Sequence, residues 1–222
     1  NKKENGDNQK YPKYCFKMAT GSGKTKVMSL AIVWAYFNQY AKNFLILAPN
    51  VIVFERLCED FANGKVFLKD PLIPEDLKGD WQLKYIVRGD EPSLIKDRSL
   101  VLLNIDQIRE RQSKEEETKF GRGFLSPVPK QEIELNDETY FKAIKKLNNL
   151  LVLNDEAHHV HDEELAWWRK IENIHEGVKQ YNKKGLAAQL DFSATPRDRG
   201  GVIFPHVVVD YPLADAIENG VV

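Results

Sequence analysis

The sequence predicts an α/β fold, a mainly parallel sheet wrapped by helices on both faces. Three observations carry that expectation. Runs that are apolar at every position, such as Phe44, Leu45, Ile46, Leu47 and Ala48, or Leu150, Leu151, Val152 and Leu153, suit inner strands covered on both sides. Stretches with apolar residues at helical spacing lie between such runs, so strand and helix alternate along the chain. A glycine-broken loop joins the first strand candidate to the first helix. In sheets of this kind, ligands bind where the carboxyl ends of the strands emerge.

Taken in order, residues 1–10 hold almost no apolar side chain and are expected to form a flexible N-terminal segment. Residues 14–18 read as a short strand delivering the loop. Residues 25–40 are apolar nearly all round, with Val27, Met28, Leu30, Ile32, Val33, Trp34 and Phe37. That predicts a central helix buried against the sheet and its neighbours rather than an amphipathic surface helix. Pro49 stops the strand at 44–48. Asn50 is placed to cap a helix in which Phe54, Leu57, Cys58 and Phe61 recur, with Gly64 placed to end it.

Pro71 and Pro74 mark an irregular connection, and residues 81–87 and 100–105 are the next strand candidates, separated by the turn-rich 88–92. Residues 109–136, charged from Lys114 to Glu117 and then rich in Gly and Pro, read as an exposed insertion whose charge run is a solvated face. Residues 137–148 open with acids, close with Lys142, Lys145 and Lys146, and carry Tyr140, Ile144 and Leu147 along one side, which is the pattern of a helix. A strand at 150–153 follows. A second helix is expected at 162–176, with Leu165, Trp168 and Ile171 on one stripe and Gly177 as its stop. Residues 185–192 and 206–210 supply the last strands.

The chain has 222 residues, enough for one well-cored domain, here 11–210, and short for two. Lys and Arg number 32 against 33 acidic residues, so the net charge of −1 gives no global attraction to nucleic acid or anionic membrane. Any polyanion contact must be local. Cys15 and Cys58 stand far apart with no C-x-x-C partner, which argues against a disulfide framework or zinc ribbon and fits a reducing compartment. The polar start is not a signal peptide and no apolar run approaches membrane-spanning length, so a soluble, cytoplasmic protein with no membrane partner is expected.

The loop is Met18-Ala19-Thr20-Gly21-Ser22-Gly23-Lys24-Thr25. A triphosphate needs several backbone N–H donors converging on its oxygens, and Gly21 and Gly23 let the chain curl closely enough to supply them, together with Thr20 and Ser22. The following helix points its positive end at the same anion. Lys24 adds a mobile charge for the β- and γ-phosphates, and the Thr25 hydroxyl suits a Mg²⁺ position beside them. The pattern departs from G-x-x-x-x-G-K-[ST], because Met18 stands where the first glycine would be. A mere glycine-serine turn would not need Lys-Thr at that offset.

Directly after the strand at 150–153 comes Asn154-Asp155-Glu156-Ala157-His158-His159. Adjacent carboxylates ending a buried strand need a neutralising cation, and Mg²⁺ shared with phosphates would serve. Asp155 is then the metal-side carboxylate. Glu156 is free to activate a water for in-line attack on the γ-phosphate. An acidic helix N-terminus would look the same in isolation; it is the combination with Lys24-Thr25 that is specific. A zinc site at His158, His159 and His161 is disfavoured, since only His175 and His206 remain elsewhere and no cysteines pair. A third stretch, Asp191-Phe192-Ser193-Ala194-Thr195-Pro196, ends another strand, and its hydroxyls are suited to bond to the acidic loop and sense the γ-phosphate.

These motifs, in this order and with Ala48-Pro49-Asn50 between the first two, resemble those of superfamily 2 helicases and translocases, and the resemblance spans nearly the whole chain. It matches their first RecA-like lobe, a P-loop NTPase domain. The Met before Ala-Thr-Gly, the Asn-Asp-Glu-Ala-His-His form and Pro-Asn followed by Glu55-Arg56-Leu57 are most similar to the Res motor subunits of type III restriction enzymes, and more distantly to type I. The resemblance implies that Lys24 and Thr25 bind ATP and Mg²⁺ and that Asp155 and Glu156 form the Walker B pair, a DEAH box. It further implies that His158, Ser193 and Thr195 couple hydrolysis to movement on DNA, duplex or single-stranded. Pro49 and Asn50 match the motif that touches the strand backbone, where a helix N-terminus gives a physical reason for phosphate affinity.

The family's ATP site is closed by a second RecA-like lobe supplying arginines, and residues 211–222 read as the start of the connection to it. Arg197 and Arg199 lie in the wrong place to substitute. An arginine supplied across a cleft is worth roughly 10³–10⁵ in rate, so this stretch alone is expected to hydrolyse ATP poorly. A modification subunit is a further partner the resemblance implies. No adenine-reading glutamine motif precedes the loop and no nuclease site is legible. The leading expectation is an ATP-dependent DNA translocase motor lobe. An RNA helicase lobe shares its chemistry, and a nucleotide-binding switch without turnover is the alternative from another class, disfavoured by the presence of Glu156. A small-molecule kinase lacks a legible second pocket.

Overall fold

The computed structural model describes residues 10–69, 71–104, 139–155, 163–194 and 206–221, with side chains left aside for 163–168. Among these residues seven strands, β1 (Lys13–Met18), β2 (Asn43–Ala48), β3 (Lys84–Val87), β4 (Ser99–Asn104), β5 (Leu150–Asp155), β6 (Ala188–Ser193) and β7 (Val207–Tyr211), form one sheet. Its order is β3-β4-β2-β5-β6-β1-β7 and every neighbouring pair is parallel. The helices are α1 (Lys24–Phe37), α2 (Val51–Phe61), the short α3 (Lys65–Lys69), α4 at residues 139–145, α5 (Glu163–Asn182) and α6 (Leu213–Glu218). No described helix is long and apolar enough to cross a membrane.

The period of two along each strand divides the apolar runs between two cores. Leu45, Leu47, Val101, Leu103, Leu150 and Val152 face one side, where Tyr140, Ile144 and Leu147 of the α4 segment and Ile171, Ile174 and Val178 of α5 cover them. Phe44, Ile46, Leu100, Leu102, Leu151, Leu153, Leu190 and Phe192 face the other, under Met28 and Ile32 of α1, Leu57 and Phe61 of α2 and Phe67 of α3. This double cover is why β2, β4 and β5 can be buried at every position. It is the wrapped parallel sheet that the sequence predicts.

Asn50 caps α2 as expected: its side-chain oxygen accepts the amide of Val53 at 2.9 Å. Three expectations need correction. Helix α1 is buried along one side only, with Leu30 and Trp34 exposed, because sheet and neighbours cover only the stripe of Met28, Ile32 and Val33. Strand β3 begins at Lys84 rather than at 81. The Trp81 ring instead fills the space beside Tyr36, Phe37 and Phe67, its indole N–H donates to the Tyr85 hydroxyl at 2.9 Å, and the Gln82 amide donates to the Tyr36 hydroxyl. With the Trp81 amide turned back to the Lys78 carbonyl and the Gln82 amide given to a side chain, the ladder starts later.

The third correction concerns Gly177, which does not stop α5. The helix runs through it to Asn182, whose side chain accepts the amides of Lys184 and Gly185 and closes the end. Gly177 is where α4 crosses: a Cβ there would meet the Lys145 stem at 2.4–2.6 Å. The expected N-terminal segment up to residue 9, the insertion at 109–136 and the acidic-loop residues 156–162 lie outside the described residues, as do Thr195 and Pro196.

Candidate functional site

A parallel sheet sends the carboxyl ends of all its strands to one rim. At that rim Met18 leads into the glycine loop, Ala48 into Pro49 and Asn50, and β5 ends on Asp155 and β6 on Ser193. Strand β6 lies between β5 and β1, with Asp155 level with Phe192 and Phe192 level with Phe16. The strand carrying the loop and the strand carrying the carboxylate are therefore two ladder steps apart, about 10 Å.

The loop is built as a cradle. Gly21 and Gly23 both take positive φ, 82° and 90°, a region that L side chains avoid. Ser22 turns inward, its hydroxyl donating to the Ala19 carbonyl at 2.7 Å and its amide to the same oxygen at 3.2 Å. The turn is thus tied without using the outward backbone. Gly23 is the N-cap of α1 and no side chain caps that end, so the positive end of a 14-residue helix faces the rim. Lys24, its first residue, is buried, while Gly21 and Gly23 are exposed.

Asp155 is 1% exposed. Alternation along β5 places it on the same face as Leu151 and Leu153, the face carrying α1 and α2. Arg56 of α2 meets it there, one guanidinium nitrogen 2.6 Å from its Oδ2. Lys24 and Asp155, remote in sequence, therefore share one rim and one face of the sheet. Arg56 is the member of this site that the sequence did not assign. The sequence offered it only as part of the Glu55-Arg56-Leu57 stretch that carries the resemblance, without a role, and the contact joins positions 99 apart.

Asn154 points to the opposite face, where a second polar group lies wholly inside the protein. Its amide nitrogen bonds Asp191 of β6, and Gln189 donates to both Asp191 oxygens at 2.8 and 3.0 Å while accepting from the Tyr11 hydroxyl at 3.1 Å. The other end of the Asn154 amide, Oδ1, is buried without a hydrogen-bond partner among the described residues. Burial pushes the Asp191 carboxyl up to about 6, against the opposing pull of the Gln189 and Asn154 hydrogen bonds and of Lys13. Cys15, level with Asp191, is pushed up to about 12 by burial and by that carboxylate, so it is an inert thiol.

A carboxyl that is harder to ionise folded than unfolded withdraws stability as pH rises. The penalty is absent below the unfolded value of 3.8 and complete above about 6. It amounts to about 3 kcal/mol over that window at 1.36 kcal/mol per unit. Asp191→Asn keeps an acceptor for Gln189 and offers an N–H to Asn154 Oδ1. The variant is expected to be more stable than wild type at pH 7 and to lose the fall in stability between pH 4 and 6.5, read from urea midpoints across that range.

The histidine ring at 175 is structural: its Nδ1 accepts the Leu186 amide at 3.2 Å, its face lies 4.6 Å from the Tyr11 ring, and burial holds it below the usual histidine range. Ser193 is buried at the rim, and Pro49 is buried beside the exposed Asn50. The loop residues Thr20 to Thr25, Asp155, Ser193 and the Pro49-Asn50 turn thus all lie at one rim of the sheet, with Ser193 placed by alternation along β6 on the face of Asp191 rather than that of Asp155. Glu156, His158 and Thr195 lie outside the described residues. When the chain is compared with known proteins, the family model described as "type III restriction enzyme, res subunit" matches residues 2–198. No curated protein matches it.

Proposed function

The chain belongs to the type III restriction enzyme res-subunit family, whose domain is an ATP-dependent helicase or translocase motor with the RecA-like P-loop fold, and from that premise we propose that it is the ATP-binding motor lobe of a DNA translocase working in restriction. The observation that carries the proposal is the shared rim and face of Lys24 and Asp155. One offers positive charge at an uncapped helix start, the other a buried negative charge, and a cation-bound polyphosphate needs both.

In this reading the amides from Thr20 to Thr25 and the Lys24 ammonium hold the phosphates of ATP. The donor set suits Mg²⁺ as well: Asp155 and the Thr25 hydroxyl are hard oxygen ligands and would hold the ion together with phosphate oxygens. Bound there, Mg²⁺ would neutralise charge building on the transferred phosphoryl group. Glu156 orients the attacking water. His158, Ser193 and Thr195 sense the γ-phosphate and pass its loss to the nucleic acid held by Pro49 and Asn50, where the first turn of α2 faces the rim. A second RecA-like lobe completes the site with arginines, and a modification subunit directs the motor to its DNA in the cytoplasm.

The test is nucleotide turnover by the full-length protein with duplex DNA, single-stranded DNA or RNA added. Stimulation by DNA that excess RNA does not compete away is the expected result. Stimulation by RNA alone would make this an RNA helicase lobe, and γ-phosphate retained intact through long incubation would make it a switch.

A further inference from the structure

Asp155 and Arg56 form an unequal pair. The carboxylate is enclosed, 1% exposed at the end of a central strand, whereas the arginine side chain is 50% exposed on α2. A buried carboxylate stays ionised only beside a compensating charge, and breaking such a pair by removing its partner is strongly destabilising. The costs of separation fall unequally on the two. Arg56 can turn its guanidinium to water at little expense, while Asp155 cannot leave the interior and is stabilised by another cation when Arg56 goes.

We propose that Arg56 is the resident counter-ion of Asp155, a positioning residue that holds the carboxylate ready at the rim and yields it to the divalent cation arriving with nucleotide. The proposal rests on the reading of Asp155 as the cation-side carboxylate. Two positive charges then compete for one anion. The divalent ion gains by bringing its own phosphate ligands, and Arg56 has solvent at its back to receive it. The half-exposure of Arg56 also limits the size of the effect, because water screens its repulsion of the incoming ion.

The experiment measures Mn²⁺ binding to the full-length protein by electron paramagnetic resonance, with a non-hydrolysable ATP analogue present, for wild type and for R56Q, R56K and D155N. Neutralising the competitor in R56Q is expected to tighten Mn²⁺ roughly three- to tenfold, an estimate for a partly screened unit charge. R56K, which retains the charge, should stay within about twofold of wild type on the same reasoning. Melting temperatures provide the second readout: R56Q should melt lower than wild type without Mn²⁺ and nucleotide and recover more on adding them, since the metal then replaces the missing counter-ion. Unchanged or weaker Mn²⁺ binding in R56Q, with binding lost in D155N, would overturn the role of Arg56 and leave the site standing. Unchanged binding in D155N would remove the assignment of Asp155 itself. A melting temperature lowered equally with and without Mn²⁺ would reduce Arg56 to an ordinary structural contact.

Discussion

Lys24→Ala in the full-length protein is expected to lower nucleotide turnover by about two to three orders of magnitude, the usual effect of deleting one preorganised electrostatic group from a reacting centre. Lys24 heads α1 at the uncapped N-terminus, where the glycine cradle and the helix end already concentrate positive potential. In the proposed reading its ammonium is the mobile charge that the cradle adds for the phosphates. Melting temperatures measured beside turnover separate lost chemistry from lost structure. Steady-state ATPase assays and binding of a fluorescent nucleotide check the prediction. Turnover within threefold of wild type would exclude Lys24 from the reaction.

Phe44→Ala should cost about 3–5 kcal/mol, the range for a large aromatic removed from a close-packed core. That is a large part of the 5–15 kcal/mol by which domains are generally stable. Phe44 is wholly buried on β2, opposite Leu100 on one side and Leu151 on the other. Both neighbouring strands are held in register by their ladders, so the backbone cannot close in to fill the space. The loss should appear as a lower urea midpoint with an unchanged slope, since the surface exposed on unfolding is nearly the same. A cost below about 1 kcal/mol would mean that the two cores are far looser than their burial indicates.

What could be read from the sequence was what depends on neighbours in sequence. The strands β2, β4 and β5 announce themselves because burial on both faces leaves no polar position inside the apolar run, and Asn50 caps α2 by reaching only three residues on. The features that escaped depend on what packs against what. Leu30 and Trp34 read as core residues, yet composition does not say which side of α1 the sheet will cover. Gly177 has the look of a helix stop until Lys145 is seen crossing it. Nothing in the sequence marks Gln189 and Asp191 as interior residues, and only the structure shows them bonded to Tyr11 and Asn154 there. At the site itself the loop and Asp155 were legible as motifs. The Arg56 contact was not, because it closes across two separate strand-helix units.

The sheet order also sets a timetable for synthesis. Strand β1, which carries the glycine loop, finds both of its partners in β6 and β7, near the opposite end of the described chain, and Tyr11 meets Gln189 across 178 residues. A ribosome releasing this polypeptide would thus expose the glycine turn well before it supplies the strands that flank it. Closing so distant a contact is slow. The nascent protein should gain its affinity for nucleotide in one late step, after β2, β4 and β5 have had time to pair.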